Sequence, residues 1–336
     1  MKAYAYIDRI SLDALIPIDQ PDPEPGDDEI VVAMKAVSLN YRDLAIADGD
    51  YHVQVKPPLI PISDGAGEVV AAGKAVKRFR IGDKVCAVYL PDWKKGTLSR
   101  EAAARRLGGP SNGVLRELMC ASEQDFVRAP RHLSYEEAAT LPVASVTAWQ
   151  TLFVNGTVRP GDNVLVQGSG GVSIAAMQLA RAAGARVISV TRTADAWGEL
   201  RTLGASEVVV SRGNPSWPRE ILELTGGAGA DVIVNVAGGK TVGDCLAASG
   251  LGATVHLVGY SSGRDVSFDM FDAIRRAARF TVATAGSRDS FERLVQTLEL
   301  QNLRPPIAER HPVASYKLAL ESLRKGGHVG KVVLSF

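Results

Sequence analysis

Residues 163–193, NVLVQGSGGVSIAAMQLARAAGARVISVTRT, restrict the fold more than any other part of the chain. An apolar run ends in a glycine-rich turn. A stretch with apolar positions at 172, 175, 176, 179, 180 and 183 follows, Gly184 stops it, and a second apolar run begins. The order is strand, turn, helix, strand, and the apolar spacing is that of one helix face. Gly168 permits a tight turn and Gly170 lets a backbone approach a pyrophosphate. Gly171 completes the turn and Val172 opens the helix, whose free N–H groups and dipole hold negative charge. Ser173 stands where a third glycine usually allows close packing of helix on strand, so the context of the motif carries the reading of a dinucleotide loop. A tight turn without a ligand is the alternative.

The alternation continues beyond this unit. Apolar runs RVISVT, EVVVS, DVIVNVAG, TVHLVGY and FTVATAG are interleaved with helical stretches, the pattern of a parallel sheet covered on both faces. Before about residue 125 the pattern differs. EIVVAMKAVSL, GAGEVVAAG and DKVCAVYL are separated by turn signals such as EPGDD and RIGDK, which predicts an antiparallel, irregular β-barrel. SREAAARRL, residues 99–107, reads as a helix, and the tail reads as two helices and a closing strand. At 336 residues the chain exceeds what one core usually supports. The fold class is therefore α/β: a β-barrel catalytic domain over 1–127, a doubly wound Rossmann domain over 128–285, and a return segment over 286–336 that packs on the first domain.

Charge narrows the partners. Lys and Arg number 38 against 37 Asp and Glu, a formal +1, with no run of like charge, which argues against nucleic acid. The opening MKAYAYIDRISLDALIP carries charges through what would be a signal core, and no apolar stretch is long enough to span a bilayer. The expected setting is the cytoplasm, with no membrane partner and a small-molecule substrate. Cys86, Cys120 and Cys245 are odd in number and far apart, which suits free thiols in a reducing compartment.

The end of the second strand of the Rossmann unit bears on the dinucleotide. An NAD site normally places Asp or Glu there to accept the ribose hydroxyls. Thr191, Arg192 and Thr193 occupy it here. A guanidinium beside two hydroxyls binds a 2′-phosphate through charge-assisted bonds, so NADP(H) is expected over NAD(H). Alternatively, Arg192 points into solvent.

The succession of LNYRDL, SDGAGEVVAAG, RIGDKV, EEAATLPVASVTAWQTL, GDNVLVQGSGGVSIAAMQLA and GGHVGKVVL resembles the medium-chain dehydrogenase/reductase superfamily over nearly the whole chain. The likeness is greatest to its zinc-independent branch of quinone oxidoreductases and enoyl reductases, whose relatives include proteins called alcohol dehydrogenases. The resemblance implies a GroES-like catalytic domain, an active site in the cleft between the domains, and a homodimer joined through the Rossmann sheets. It also implies cofactor contacts from Thr147, from Val258, Gly259 and Tyr260, from Ser287 and Arg288, and from Lys331. Thr147 reads equally well as an N-terminal helix residue. Trp93 and the SREAAARRL segment lie where zinc-dependent relatives carry a zinc lobe, and either roof the substrate or pin the loop to the barrel.

Zinc-dependent relatives use a Cys early in the barrel, the His of a Gly-His-Glu motif, and a second Cys just before the Rossmann domain. The matching positions are Asn40, Ser63 with Asp64 after it, and Val143. One carboxylate cannot make a catalytic zinc site, which needs three protein ligands and an open position. Residues 91–118 contain no cysteine, and His52, His132, His256, His311 and His328 have no ligand spacing. No zinc is expected. Charge on the substrate then falls to SLNYRDLAIADGDYH, where Asn40, Tyr41 and Tyr51 are candidate donors to a carbonyl oxygen that becomes an enolate. Asp43 and Asp64 complete the candidate catalytic set, and His52 lies beside it in sequence. Asn40 and Asp43 have equal standing as a helix cap for DLAIADG, and capping leaves Asn40 able to act a second time. The expected activity is hydride transfer from NADPH to a small unsaturated carbonyl compound or quinone. Alcohol–carbonyl interconversion and non-enzymatic NADP(H) binding are the alternatives.

Overall fold

The apolar runs become strands, and they pair as their patterning requires. In the computed structural model, which describes residues 1–336, the chain divides into two compact units. One holds 1–146, 285–327 and 331–336, and the other holds 147–284 and 328–330.

The second unit is built on a six-stranded, wholly parallel sheet. Across it lie Glu207–Val210, Arg186–Thr191, Asn163–Gln167, Ala230–Asn235, Ser249–Leu257 and Arg279–Val282. In chain order this is third, second, first, fourth, fifth, sixth, the doubly wound Rossmann order, which reverses at Asn163–Gln167. Leu165, Ile188, Val209, Ile233 and Val255, one from each of five strands, are almost fully buried in a common core, as strands covered by helices require.

The first unit centres on the ten-residue strand Glu29–Ser38. It pairs antiparallel with Asp64–Ala72, Leu118–Ser122 and Lys331–Ser335. In such pairing the C-terminal end of the central strand lies beside the N-terminal ends of its neighbours. Ser38 therefore faces Asp64 on one side and Val333 on the other, and this register brings residues near 40, 64 and 331 together. Tyr6, Leu15, Leu59, Leu115 and Phe126 fill the core beneath the sheet.

Two readings need correction. SREAAARRL is not a helix: it forms a single turn, with Ala103 N–H donating to Ser99 O at 3.0 Å and Ala104 N–H to Glu101 O at 3.1 Å. Tertiary bonds outcompete its propensity, since Leu107 N–H donates to Tyr89 O at 3.1 Å and Arg105 pairs with Asp92 and Asp125. The tail also holds an unforeseen strand, Ile307–Pro312, parallel to Lys331–Ser335. Its charges and proline disguise it, as befits an edge strand. No helix is long and apolar enough to cross a membrane.

Candidate functional site

Within the second unit the glycine turn takes the form its sequence predicts. Gly168 adopts φ +80°, the left-handed region that glycine enters without cost. Gly170 caps the helix Gly171–Ala182, and no atom lies within 4 Å of where a Cβ on it would sit. The loop therefore has an open face at the N-terminus of a twelve-residue helix, which fits a pyrophosphate. Ser173, in the place of the third glycine, is buried and donates to Gln167 O at 2.6 Å, joining the helix to the strand it follows. The loop is braced from the far end of the chain: Gly330 N–H donates to Ser169 O and Ser169 Oγ–H to His328 O, both at 2.9 Å.

At the next strand end Thr191 is buried, and its carbonyl accepts from Ser211 N–H at 2.8 Å and Ser211 Oγ–H at 3.1 Å. Arg192 is exposed and Thr193 half-buried. Val258 and Gly259 both donate to Asn235 O, at 2.9 and 3.3 Å. A Cβ on Gly259 would stand 2.1 Å from Val236 O, so the position admits only glycine. Tyr260 follows in the same half-buried turn. Thr147 is buried, and its carbonyl accepts from Thr151 Oγ1–H at 2.7 Å.

The first unit assembles the other set. The helix Tyr41–Ala47 follows the central strand, and the Asp43 carboxylate accepts the Asn40 N–H at 2.8 Å, closing a capping box. Asn40 does more than cap. Its Oδ1 accepts from Lys331 Nζ, which also donates to Leu39 O at 2.6 Å. Lys331 Nζ lies 3.8 Å from Asp64 Oδ2, and Asp64 in turn accepts from Ser63 Oγ–H at 3.0 Å and Val143 N–H at 3.3 Å. Val143 reaches that carboxylate from a π-wound turn, Leu141–Ser145, a local winding that often marks functional positions. Burial pushes the Asp64 carboxyl up and the Lys331 ammonium down, and each charge opposes the other's shift. Burial also pushes Asp43 up, to about 6, against the pull of Arg42.

A second cluster adjoins it through Arg42. This guanidinium is 8% exposed, donates to Leu107 O at 3.2 Å and Gly109 O at 3.0 Å, and pairs with Asp43 at 3.4 Å. Its Nε donates to Tyr51 OH at 3.4 Å, and the Tyr51 and Tyr89 hydroxyls are 3.0 Å apart. Tyr41 is half exposed at the start of the helix, and Tyr51 is the phenol that Arg42 faces. His52 packs against Tyr51 with ring centroids 4.3 Å apart and planes tilted by 52°, and it meets Arg106 at 2.8 Å.

The profile of the alcohol dehydrogenase GroES-like domain matches residues 26–131, and that of the zinc-binding dehydrogenases matches 171–299. A zinc-type alcohol dehydrogenase-like protein of Schizosaccharomyces pombe is 35% identical over 98% of both chains. The chain is a medium-chain dehydrogenase/reductase. It is thus an oxidoreductase of the alcohol dehydrogenase type, from a family that works with nicotinamide cofactors. The whole fold follows a solved NAD-dependent alcohol dehydrogenase at TM-score 0.92, 32% identity and full coverage of both chains. It also follows an alcohol dehydrogenase from Pyrobaculum aerophilum solved with cobalt and zinc bound, at TM-score 0.83 and 26% identity, covering 100% of this chain and 99% of that one.

In this dehydrogenase/reductase the positions that the resemblance matches to zinc ligands lie close together and carry other chemistry. They present an amide, a hydroxyl with the following carboxylate, and a backbone N–H, gathered around the Lys331 ammonium. No group of three or more His, Cys, Asp or Glu side chains is arranged to hold a metal ion, and the donor set does not fit zinc. Lys331, assigned to the cofactor by resemblance, is committed to Asn40 and Asp64. Ser287 caps the helix Arg288–Gln301 by accepting from Ser290 N–H at 3.1 Å, and Arg288 donates to Gln124 O at 3.2 Å. Trp93 is buried, with Nε1–H donating to Gly96 O at 2.8 Å, the loop-pinning alternative. Sequence reasoning assigned neither Tyr89 nor Arg42 a part in the site. The one available signal was an Arg-Asp pair opening a helix, YRDLAIA, whose remaining residues are apolar.

Proposed function

We propose that the protein is an NADP(H)-dependent, zinc-independent reductase of small unsaturated carbonyl compounds or quinones. The observation that carries this reading is the Asn40–Lys331–Asp64 cluster, which puts a protein cation and an amide where zinc-dependent relatives gather metal ligands. The Gly168–Gly171 loop would hold NADPH, which when bound would supply the hydride. Reduction of a conjugated double bond adds that hydride to the β carbon and requires one proton at the α carbon. Tyr51 donates the proton, since its phenol is half-buried among positive groups that stabilise the anion left behind. Asn40 accepts from Lys331 through Oδ1 while its amide nitrogen is buried and helps hold the Asp64 charge; in this reading that amide donates to the enolate oxygen. Preference for NADPH rests on Arg192, exposed at a strand end that offers no carboxylate for the ribose.

The names of the relatives favour a second reading, oxidation of alcohols with NAD or NADP. Steady-state oxidation of NADPH with a panel of enones and quinones, against reduction of NADP and NAD with a panel of alcohols, separates the two. Turnover in the alcohol panel alone contradicts the proposal. We further infer a homodimer. The edge strand Arg279–Val282 pairs on one side only, and Val282, Met270, Phe271 and Ile274 are exposed in the same unit, more apolar surface than a lone sheet edge usually leaves to water.

A further inference from the structure

A guanidinium is expensive to bury unless every donor is matched. Arg42 is matched by two backbone carbonyls, one carboxylate and one phenol. Its plane also lies over two aromatic rings, 5.1 Å from the Tyr51 centroid and 5.0 Å from that of Tyr89. A staple between the helix and the Leu107–Gly109 turn would need only the carbonyls. The geometry instead points a further donor, Nε, at the Tyr51 hydroxyl and sets the guanidinium against the faces of both rings, whose hydroxyls are 3.0 Å apart.

We propose that Arg42 and Tyr89 are positioning residues for Tyr51: they fix its phenol and stabilise the anion it leaves on giving up a proton. The inference builds on the reading of Tyr51 as proton donor. Burial works against ionising Tyr51, yet the charge of Arg42, the Tyr89 hydroxyl and the charge of Arg106 outweigh it, and the phenol lies below its ordinary value of 10. Burial pushes Tyr89 the other way, so Tyr89 keeps its proton and donates it to the Tyr51 oxygen. The other titratable groups facing the pair do not reverse this. His52 is lowered by burial and by Arg106 and Arg42, so it stays neutral and accepts from Arg106, and Asp43 is spent on Arg42 and the Asn40 N–H.

Ultraviolet titration of tyrosinate tests this without turnover. The Tyr51 contribution is the difference between the unmodified protein and Tyr51→Phe. That difference is expected to ionise below pH 10 and to move upward by about one unit or more in Arg42→Gln, the usual effect of removing a neighbouring opposite charge. Tyr89→Phe is expected to move it in the same direction by less while leaving the Arg42 bonds to Leu107 and Gly109 in place. It decides the matter alone if Arg42→Gln does not fold. A Tyr51 ionisation that stays fixed in the folded variants overturns the inference and leaves Tyr51 as acid untouched. Movement of that ionisation together with full turnover by Tyr51→Phe supports the inference and overturns the acid assignment alone.

Discussion

Gly170 and Gly168 stand two residues apart and carry different burdens, which single substitutions can separate. At Gly170 the backbone is one any residue adopts and the Cβ direction is open. Gly170→Ala is expected to keep the melting temperature while weakening NADPH binding about tenfold or more, because the methyl takes the space a pyrophosphate needs. At Gly168, φ +80° makes Ala costly in the fold itself, by about 1–2 kcal/mol. Isothermal titration beside thermal melting checks both. Arg192→Asp is expected to reverse the order of NADPH and NADH affinities, since it removes a charge-assisted bond worth about 1.5–3 kcal/mol and adds repulsion. Equal affinities in the unmodified protein would show that Arg192 does not read the phosphate. These residues were legible because their roles follow from backbone form and strand position. Lys331 was not. Its partners Asn40 and Asp64 lie 291 and 267 positions away in the chain, and only the register of three strands reveals them.

Most strands were readable from apolar runs, whereas the strand order, the segment 99–107 and the strand Ile307–Pro312 were decided by partners that no local window contains. One strand carries a titratable group with a readable consequence. His256 on Ser249–Leu257 is fully buried, meets Thr281 Oγ1 at 2.5 Å, and is pushed by burial down to about 4. A depressed histidine contributes stability that is complete above its unfolded value of about 6.5 and is lost as pH falls through about 4. Melting from pH 7 to pH 4 is therefore expected to cost the unmodified protein up to about 3 kcal/mol more than a His256→Gln variant. Parallel melting curves for the two proteins over that range would contradict the assignment.

For the molecule as a whole, sequence alone supplied the two-domain plan and the parallel sheet. The polar cluster in place of a metal set needed the folded structure, because it joins residues from both ends of the chain. The proposed dimer is checked by sedimentation velocity. The protein is expected to run with the mass of two chains, and Val282→Glu, which charges the exposed sheet edge, is expected to shift it toward one. The central claim is that the chain's own groups, and no zinc, handle the substrate. The most direct test is the single-turnover rate of hydride transfer from bound NADPH to an enone, measured before and after exhaustive treatment with a chelator. The account expects the same rate in both samples. A rate that collapses after chelation and returns on adding zinc would contradict it.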